Sequence, residues 1–211
     1  MKGILFDSIH SYDDLRLYLS KVDIPPAKPK TNYIDIPGGD GSVDLTEALG
    51  EVKFEDRVCT FTFTAFPQDN FEEKKTQISN LLNGKRCRIV LDKDPGFYWD
   101  GRCSINEYAS DRNLHKIVVG AVVAPYKLKS TKTVVTVAAG TSVSATLKNG
   151  RMTVVPTITN TANATIVFGG NTYTLNPGTH TRSNIILKHG ESTVTVTSTS
   201  PVTFTYQEGE L

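Results

Sequence analysis

The sequence predicts a mainly β protein: a β-rich first domain with one α-helix on a sheet or barrel-like core, then an antiparallel β-sandwich. Short runs that alternate apolar and polar residues recur along the chain, separated by Gly, Pro and Asn turn signals. Only residues 69–82 show a helical period. From residue 129 onward the composition changes, since Ser and Thr make up 27 of the last 83 residues. We therefore expect domains at 1–128 and 129–211.

The first fifty residues predict short strands joined by breakers. Residues 3–7 are typical of a first strand, and the alternation over 15–19 also favours a strand, although Ser11 with Asp14 could begin a helix. Three prolines in 24–30 predict an extended connector. The Gly-rich segment 37–42 lacks the Lys of a phosphate loop and predicts a turn that needs positive φ.

The next segments predict the helix and the strand before it. Thr residues alternate with Phe61, Phe63 and Ala65 over 52–66, which predicts a long half-buried strand. The helix is expected over 69–82, with Asp69 as its cap and Glu72 completing a capping box.

A β-hairpin over 84–104 is the centre of the predicted first domain. Alternating residues stand on both sides of Asp94-Pro95-Gly96, which has the composition of a tight turn. The alternation places Trp99 in the core and Tyr98 on the opposite face, as an interface candidate. A polar bend over 107–111 and a buried strand over 117–124 are expected to follow.

Residues 129–211 predict a sandwich of short antiparallel strands. Turn signals at Asn149-Gly150, 169–171, 176–178 and His189-Gly190 separate runs in which Thr alternates with apolar residues. Such alternation is typical of strands with one wet face.

Neither the composition nor the motifs indicate an enzyme, a metal site or a cofactor. The net charge of +1 gives no general argument for nucleic acid, and no apolar run is long enough to cross a membrane. The acids near the hairpin turn lack the spacing of a calcium loop, and the four histidines lack metal-ligand spacing. The three cysteines lie in strand-like runs, so we expect buried thiols in a chain made in a reducing cytoplasm.

Five motifs follow one another along residues 1 to about 128. They are His10-Ser11-Tyr12-Asp13-Asp14, the run from Ile36 to Leu49, Asn80-Leu81-Leu82-Asn83-Gly84-Lys85, the run from Asp94 to Arg102, and Ala124-Pro125-Tyr126-Lys127. By their order and spacing, more than by any one of them, they resemble the distal tail (Dit-like) proteins of long-tailed, non-contractile bacteriophages. Where such proteins often carry Arg, this chain has Gly39. Residues 129–211 resemble the sandwich that follows in that family, though more loosely.

The resemblance implies a virion structural protein of the phage tail tip, made in the bacterial host cytoplasm, and not an enzyme. It implies a hexameric ring that joins the tail tube protein to the tail-tip protein and lets DNA pass as cargo. On this interpretation the interface candidates are Tyr98, Asp100, Arg102, Lys85 and Arg88. The alternative is a carbohydrate-binding module in residues 129–211 that recognises host surface polysaccharide, although alternation places most of its aromatic residues in the core.

Overall fold

The computed structural model describes residues 3–48, 50–66, 70–111 and 114–211. These residues form two compact units, Met1–Pro125 and Tyr126–Leu211. Strands predominate in both, which confirms the mainly β fold class. Within the described ranges, no helix is both long and apolar enough to cross a membrane.

The first unit contains a large antiparallel sheet, a separate two-stranded hairpin and one described helix. Its elements are β1 (Ile4–Phe6), β2 (Ile9–His10), β3 (Tyr18–Asp23), β4 (Tyr33–Asp35), β5 (Ser42–Asp44), β6 (Arg57–Ala65), α1 (Phe71–Leu82), β7 (Arg86–Leu91), β8 (Phe97–Ser110) and β9 (His115–Val123). The sheet order is β2-β1-β7-β8-β9-β6-β3, whereas β4 pairs only with β5.

One face of this sheet forms the core of the first unit, because every second residue of β6 to β9 points inward. Phe61, Phe63, Trp99 and Ile117 are buried there, and Ile78 of α1 packs on the same cluster. The core position predicted for Trp99 is thereby confirmed. The three cysteines are buried free thiols, as expected.

Helix α1 begins one residue later than its predicted cap implies. Asn70 is the N-cap, and its side chain accepts a hydrogen bond from the backbone N–H of Glu73. Asp69, the predicted cap, lies outside the described residues. Asn and Asp are about equally favourable as N-cap residues, so the sequence alone does not distinguish position 69 from position 70 as the cap.

Two predictions about strands in the first unit are wrong. Residues 11–15 form a turn, and the strand begins only at Tyr18, because the N–H of Leu17 donates to the carbonyl of Ser11 at 2.7 Å. Leu15 and Leu17 are buried from this turn, so their alternation reflects burial and not a strand. The predicted bend over 107–111 is largely strand, since β8 continues to Ser110 through a bulge between Ile105 and Glu107.

The Gly-rich turn of the β4–β5 hairpin has the predicted conformation. Gly38 and Gly41 both adopt a φ of +77°, in the left-handed region that favours glycine.

The second unit is an antiparallel sandwich, as its alternation predicts. Its strands are β10 (Lys127–Lys129), β11 (Thr133–Val137), β12 (Gly140–Asn149), β13 (Thr157–Asn160), β14 (Ala164–Phe168), β15 (Asn171–Leu175), β16 (Gly178–Thr181), β17 (Gly190–Ser198), β18 (Val202–Tyr206) and β19 (Gly209–Glu210). The two sheets have the orders β11-β18-β13-β16 and β12-β17-β14-β15, and β10 pairs with β19. The predicted strand around 185–187 is only an isolated bridge between Val154 and Leu187, whereas β16 was not predicted.

Candidate subunit interface

The predicted interface residues lie on or beside the outer face of the large sheet. In the β7–β8 hairpin, Arg88 pairs with Asp100 and Ile89 pairs with Trp99. Because neighbouring residues of a strand point to opposite faces, Asp100 and Arg88 point outward while Ile89 and Trp99 point into the core.

Arg86 and Asp100 form a two-pronged ion pair on this face. The Nε and Nη2 of Arg86 each donate to one carboxylate oxygen of Asp100, both at 2.8 Å. The hydrogen bonds from Arg86 hold the pKa of Asp100 below its usual value, although partial burial opposes this shift. Asp100 therefore already has a cationic partner within its own chain.

Tyr98 and Arg88 form a second outward pair. The guanidinium carbon of Arg88 lies 4.0 Å from the centre of the Tyr98 ring, which is a cation–π contact. Tyr98 is half-buried under this contact. Its ring is thus partly covered by its own chain.

Lys85 and Arg102 lie together at one end of the hairpin. The Nη1 of Arg102 donates to the carbonyl of Gly84 at 2.6 Å, and both basic side chains are exposed. Arg102 borders an open groove of about 570 Å³, which we call the strand groove. Its lining includes Asn83, Arg86, Asp100, Arg102, Ser104 and Val122.

Two exposed valines lie beside the strand groove and were not among the predicted site residues. Val58 pairs with Val122 across β6 and β9, Val122 pairs with Arg102, and Arg102 pairs with Arg86. The four side chains therefore form one row across four strands. Val58 is 63% exposed and Val122 is 49% exposed, so this part of the outer face is apolar with a basic end.

The side chain of His10 has a structural role in the first unit. His10 Nδ1 lies 3.1 Å from the backbone nitrogen of Asp13, and its Nε2 lies 3.1 Å from Asp92, which fastens the loop before β3 to the hairpin. Among the described residues, no group of three or more His, Cys, Asp or Glu side chains could hold a metal ion.

The second unit, all of whose residues are described, has a groove of about 600 Å³ at the ends of its strands. Most of its lining surface is apolar, although the lining residues with hydroxyl or amide groups include Thr141, Asn163, Thr165, Thr174 and Thr197. The aromatic residues of this unit are buried or half-buried: Tyr126, Phe168, Tyr173, Phe204 and Tyr206. The groove therefore has hydrogen-bonding groups but lacks a fully exposed ring on which a sugar could stack.

Comparison with known proteins finds a likeness in structure only. No protein-family model matches the chain, and no curated protein does. The fold is similar to the crystal structure of Dit (gp 19.1) of phage SPP1, which is described as a paradigm of the hub adsorption apparatus in phages that infect Gram-positive bacteria. The TM-score is 0.71 over 97% of this chain and 98% of that chain, at 15% sequence identity. The fold implied by the sequence resemblance is thereby confirmed.

Proposed function

We propose that this chain is a structural protein of a phage tail tip. In this proposal six copies form a ring that joins the tail tube to the host-adsorption apparatus, with a central channel for DNA. The observation that carries the proposal is the likeness in fold to a phage hub protein over nearly the full length of both chains. The order of the sequence motifs in residues 1–128 supports the same assignment independently.

The surface of the first unit supports self-association. A ring of identical subunits needs two different surfaces on each copy, because each copy contacts its neighbours head to tail. The first unit has several groups of exposed apolar side chains, among them the β4–β5 hairpin, the Val58–Val122 pair and the contact between Tyr18 and Phe66. These groups supply more than one surface, as a ring of this kind requires.

The charge of the first unit is compatible with a DNA channel. Residues 1–128 carry 17 Lys and Arg against 19 Asp and Glu, a net charge of −2. A strongly basic lumen would bind phosphates and retard DNA, since each neutralised phosphate adds to the affinity. A near-neutral or slightly acidic unit leaves DNA free to move as cargo.

The test is the assembly state of the purified chain, alone and with its tail tube and tail-tip partners. Sedimentation velocity should show a species of about 140 kDa, which corresponds to six copies of the 23.1 kDa chain. Electron micrographs of that species should show an annulus. A chain that stays monomeric at every concentration, and that binds neither the tail tube protein nor the tip protein, would overturn the proposal.

A further inference from the structure

The β4–β5 hairpin and its turns, residues 31–48, form an exposed extension of the first unit, which we call the arm. Every residue from 31 to 44 is exposed, and among the described strands β4 and β5 pair with each other alone. Two backbone hydrogen bonds fix the arm at its base. The backbone N–H of Lys30 donates to the carbonyl of Lys53, and the backbone N–H of Glu55 donates to the carbonyl of Lys28. The base therefore holds the arm to the first unit.

The arm has an apolar face that no other described part of the chain covers. Ile34 pairs with Val43, and alternation puts Ile36 on the same face. These side chains are 52%, 43% and 49% exposed, respectively. Because an isolated two-stranded hairpin is only marginally stable in water, this face indicates a partner surface.

The arm is also acidic throughout. Residues 31–50 contain Asp35, Asp40, Asp44 and Glu47 and no basic residue. A hydrogen bond from the Thr46 side chain lowers the pKa of Asp44, so that carboxylate is ionised at neutral pH. The arm therefore requires a partner that is apolar in one part and basic in another.

The outer sheet face of the same chain has this composition. Val58 and Val122 provide exposed apolar surface. Arg86 and Arg102 line the strand groove together with the acids Asp56 and Asp100, and the exposed Lys85 adds positive charge next to Gly84 of the lining. Because Arg86 is already paired with Asp100, the positive charge that a partner could contact is that of the exposed Arg102 and Lys85.

We infer that the arm of one copy docks on the Val58–Val122 row and the strand groove of the next copy. The apolar face of the arm covers the two valines, and its acids lie near Lys85 and Arg102. The occupant is thus a second copy of this chain, chosen by complementary charge and by matching apolar surface. The inference rests on the proposed ring, since a head-to-tail contact of this kind is repeated around a closed ring.

Cross-linking between two variants, each with one added cysteine, tests the contact without requiring the ring to close. The full chain with Ile36→Cys is mixed with the full chain carrying Val122→Cys under mild oxidation. The three native thiols are buried, so they should not compete. We expect a covalent dimer of the two different variants on a non-reducing gel. As a matched control, Val134→Cys introduces a thiol at an exposed valine of the second unit and should give none.

Charge reversal provides the second measurement. Asp40 and Glu47 make no side-chain hydrogen bond or ion pair within the described chain, so Asp40→Lys with Glu47→Lys should leave the hairpin intact. In the cross-linking assay this pair, or Lys85→Glu with Arg102→Glu, should slow dimer formation at least tenfold. Combining the reversed arm with the reversed groove should restore it, whereas Glu191→Lys in the second unit should have no effect.

The outcomes separate this contact from the proposed function. A wild-type ring with no Ile36–Val122 cross-link, or with cross-linking that charge reversal leaves unchanged, would overturn the arm contact and leave the function standing. A specific cross-link in a chain that never forms rings with its tail partners would overturn the function and keep the contact between copies.

Discussion

The two units differ in what they leave exposed to solvent. Within its described residues, the first unit exposes nine large apolar side chains, many of them grouped on the arm and on the Val58–Val122 pair. The second unit exposes four: Val134, Val167, Ile186 and Leu211. Large exposed apolar patches mark interaction surfaces, whereas scattered ones are ordinary. In the proposed ring, we therefore expect the first unit to make the contacts between copies.

Hydroxyl groups occupy the wet faces of the second unit. Pairs across neighbouring strands lie at hydrogen-bonding distance, at 3.2 Å for Thr136–Thr203 and Ser144–Thr195 and 3.4 Å for Thr159–Thr179. Cross-strand pairs of this kind stabilise the sheets to which they belong, and they leave polar side chains on the faces that contact water.

The largest expected effect on stability comes from a substitution that removes a buried ring from one core and leaves the other core unchanged. Phe61→Ala in the first unit and Phe204→Ala in the second each remove a fully buried ring, which should lower the free energy of unfolding of that unit by about 3–5 kcal/mol. The only Trp of the chain, Trp99, lies in the first core, so its fluorescence reports the unfolding of that unit.

Hydrogen exchange of the β12–β17 amides reports the second unit in the same samples. We expect Phe61→Ala to shift the fluorescence transition and Phe204→Ala to shift the exchange of the second unit. If Phe204→Ala moved the Trp99 transition as much as Phe61→Ala does, the description of two independent cores would be wrong.

The next effect concerns a buried amide that holds a loop of the second unit. The Nδ2 of Asn149 donates to the carbonyls of Met152 and Leu187, at 2.8 and 3.0 Å. Asn149→Ala removes both hydrogen bonds, although the Leu187 carbonyl still accepts from the backbone N–H of Val154. The substitution should cost about 1–3 kcal/mol in the free energy of unfolding of the second unit. This loss of stability is measured by urea denaturation, monitored by hydrogen exchange of the β12–β17 amides. Asn171→Ala, at an exposed turn, is the matched control and should change stability by under ~0.5 kcal/mol.

Alternation accounts for most of what sequence could predict of the fold. It placed the β7–β8 hairpin, the buried Trp99 and the sandwich strands, because period-two burial repeats over several residues in each. It failed where residues are buried from a turn, as at Leu15 and Leu17, since burial without a strand produces the same pattern. It also missed the continuation of β8, because a bulge changes the phase of alternation.

The candidate site was predicted less completely than the fold. The alternation showed that Tyr98 and Asp100 point outward, but Arg86 was missed because its pairing with Asp100 depends on strand register. Val58 and Val122 were missed for another reason. Apolar residues at outward positions are a signal of a covered face, and strand period alone does not say what covers it.

A smaller effect is the loss of stability that ionisation of buried thiols causes in the first unit at alkaline pH. An ordinary thiol has a pKa near 9. Burial raises the pKa of Cys59 to about 11, although nearby Arg57 opposes the shift. Burial also raises the pKa of Cys103, to about 12. Because the folded pKa lies above the unfolded one, the stabilisation is complete below pH 9 and is lost as pH rises toward 11. The first unit should lose on the order of 2 kcal/mol over this range.

The Trp99 fluorescence transition at pH 8 and at pH 11 measures this loss. Cys59→Ala should be less stable at pH 8 because of the cavity it creates, yet lose less stability between the two pH values. The second unit contains no cysteine, so the difference between wild type and Cys59→Ala should not appear in its exchange. Equal pH dependence in both proteins would show that the thiol is not responsible.

The smallest effect concerns a carboxylate of the second unit and occurs in acid. Burial alone would raise the pKa of Glu208, but hydrogen bonds from Thr133 and Lys129 outweigh it and the pKa lies below its usual value. The stabilisation is therefore present above about pH 4.5 and lost as pH falls through the folded pKa. Glu208→Gln should cost under ~1 kcal/mol at pH 7, since Lys129 is partly solvated, and it should cost less at pH 3. Exchange of the β18 amides at the two pH values measures it, and a loss that persisted in acid would mean that Glu208 acts through packing and not through its charge.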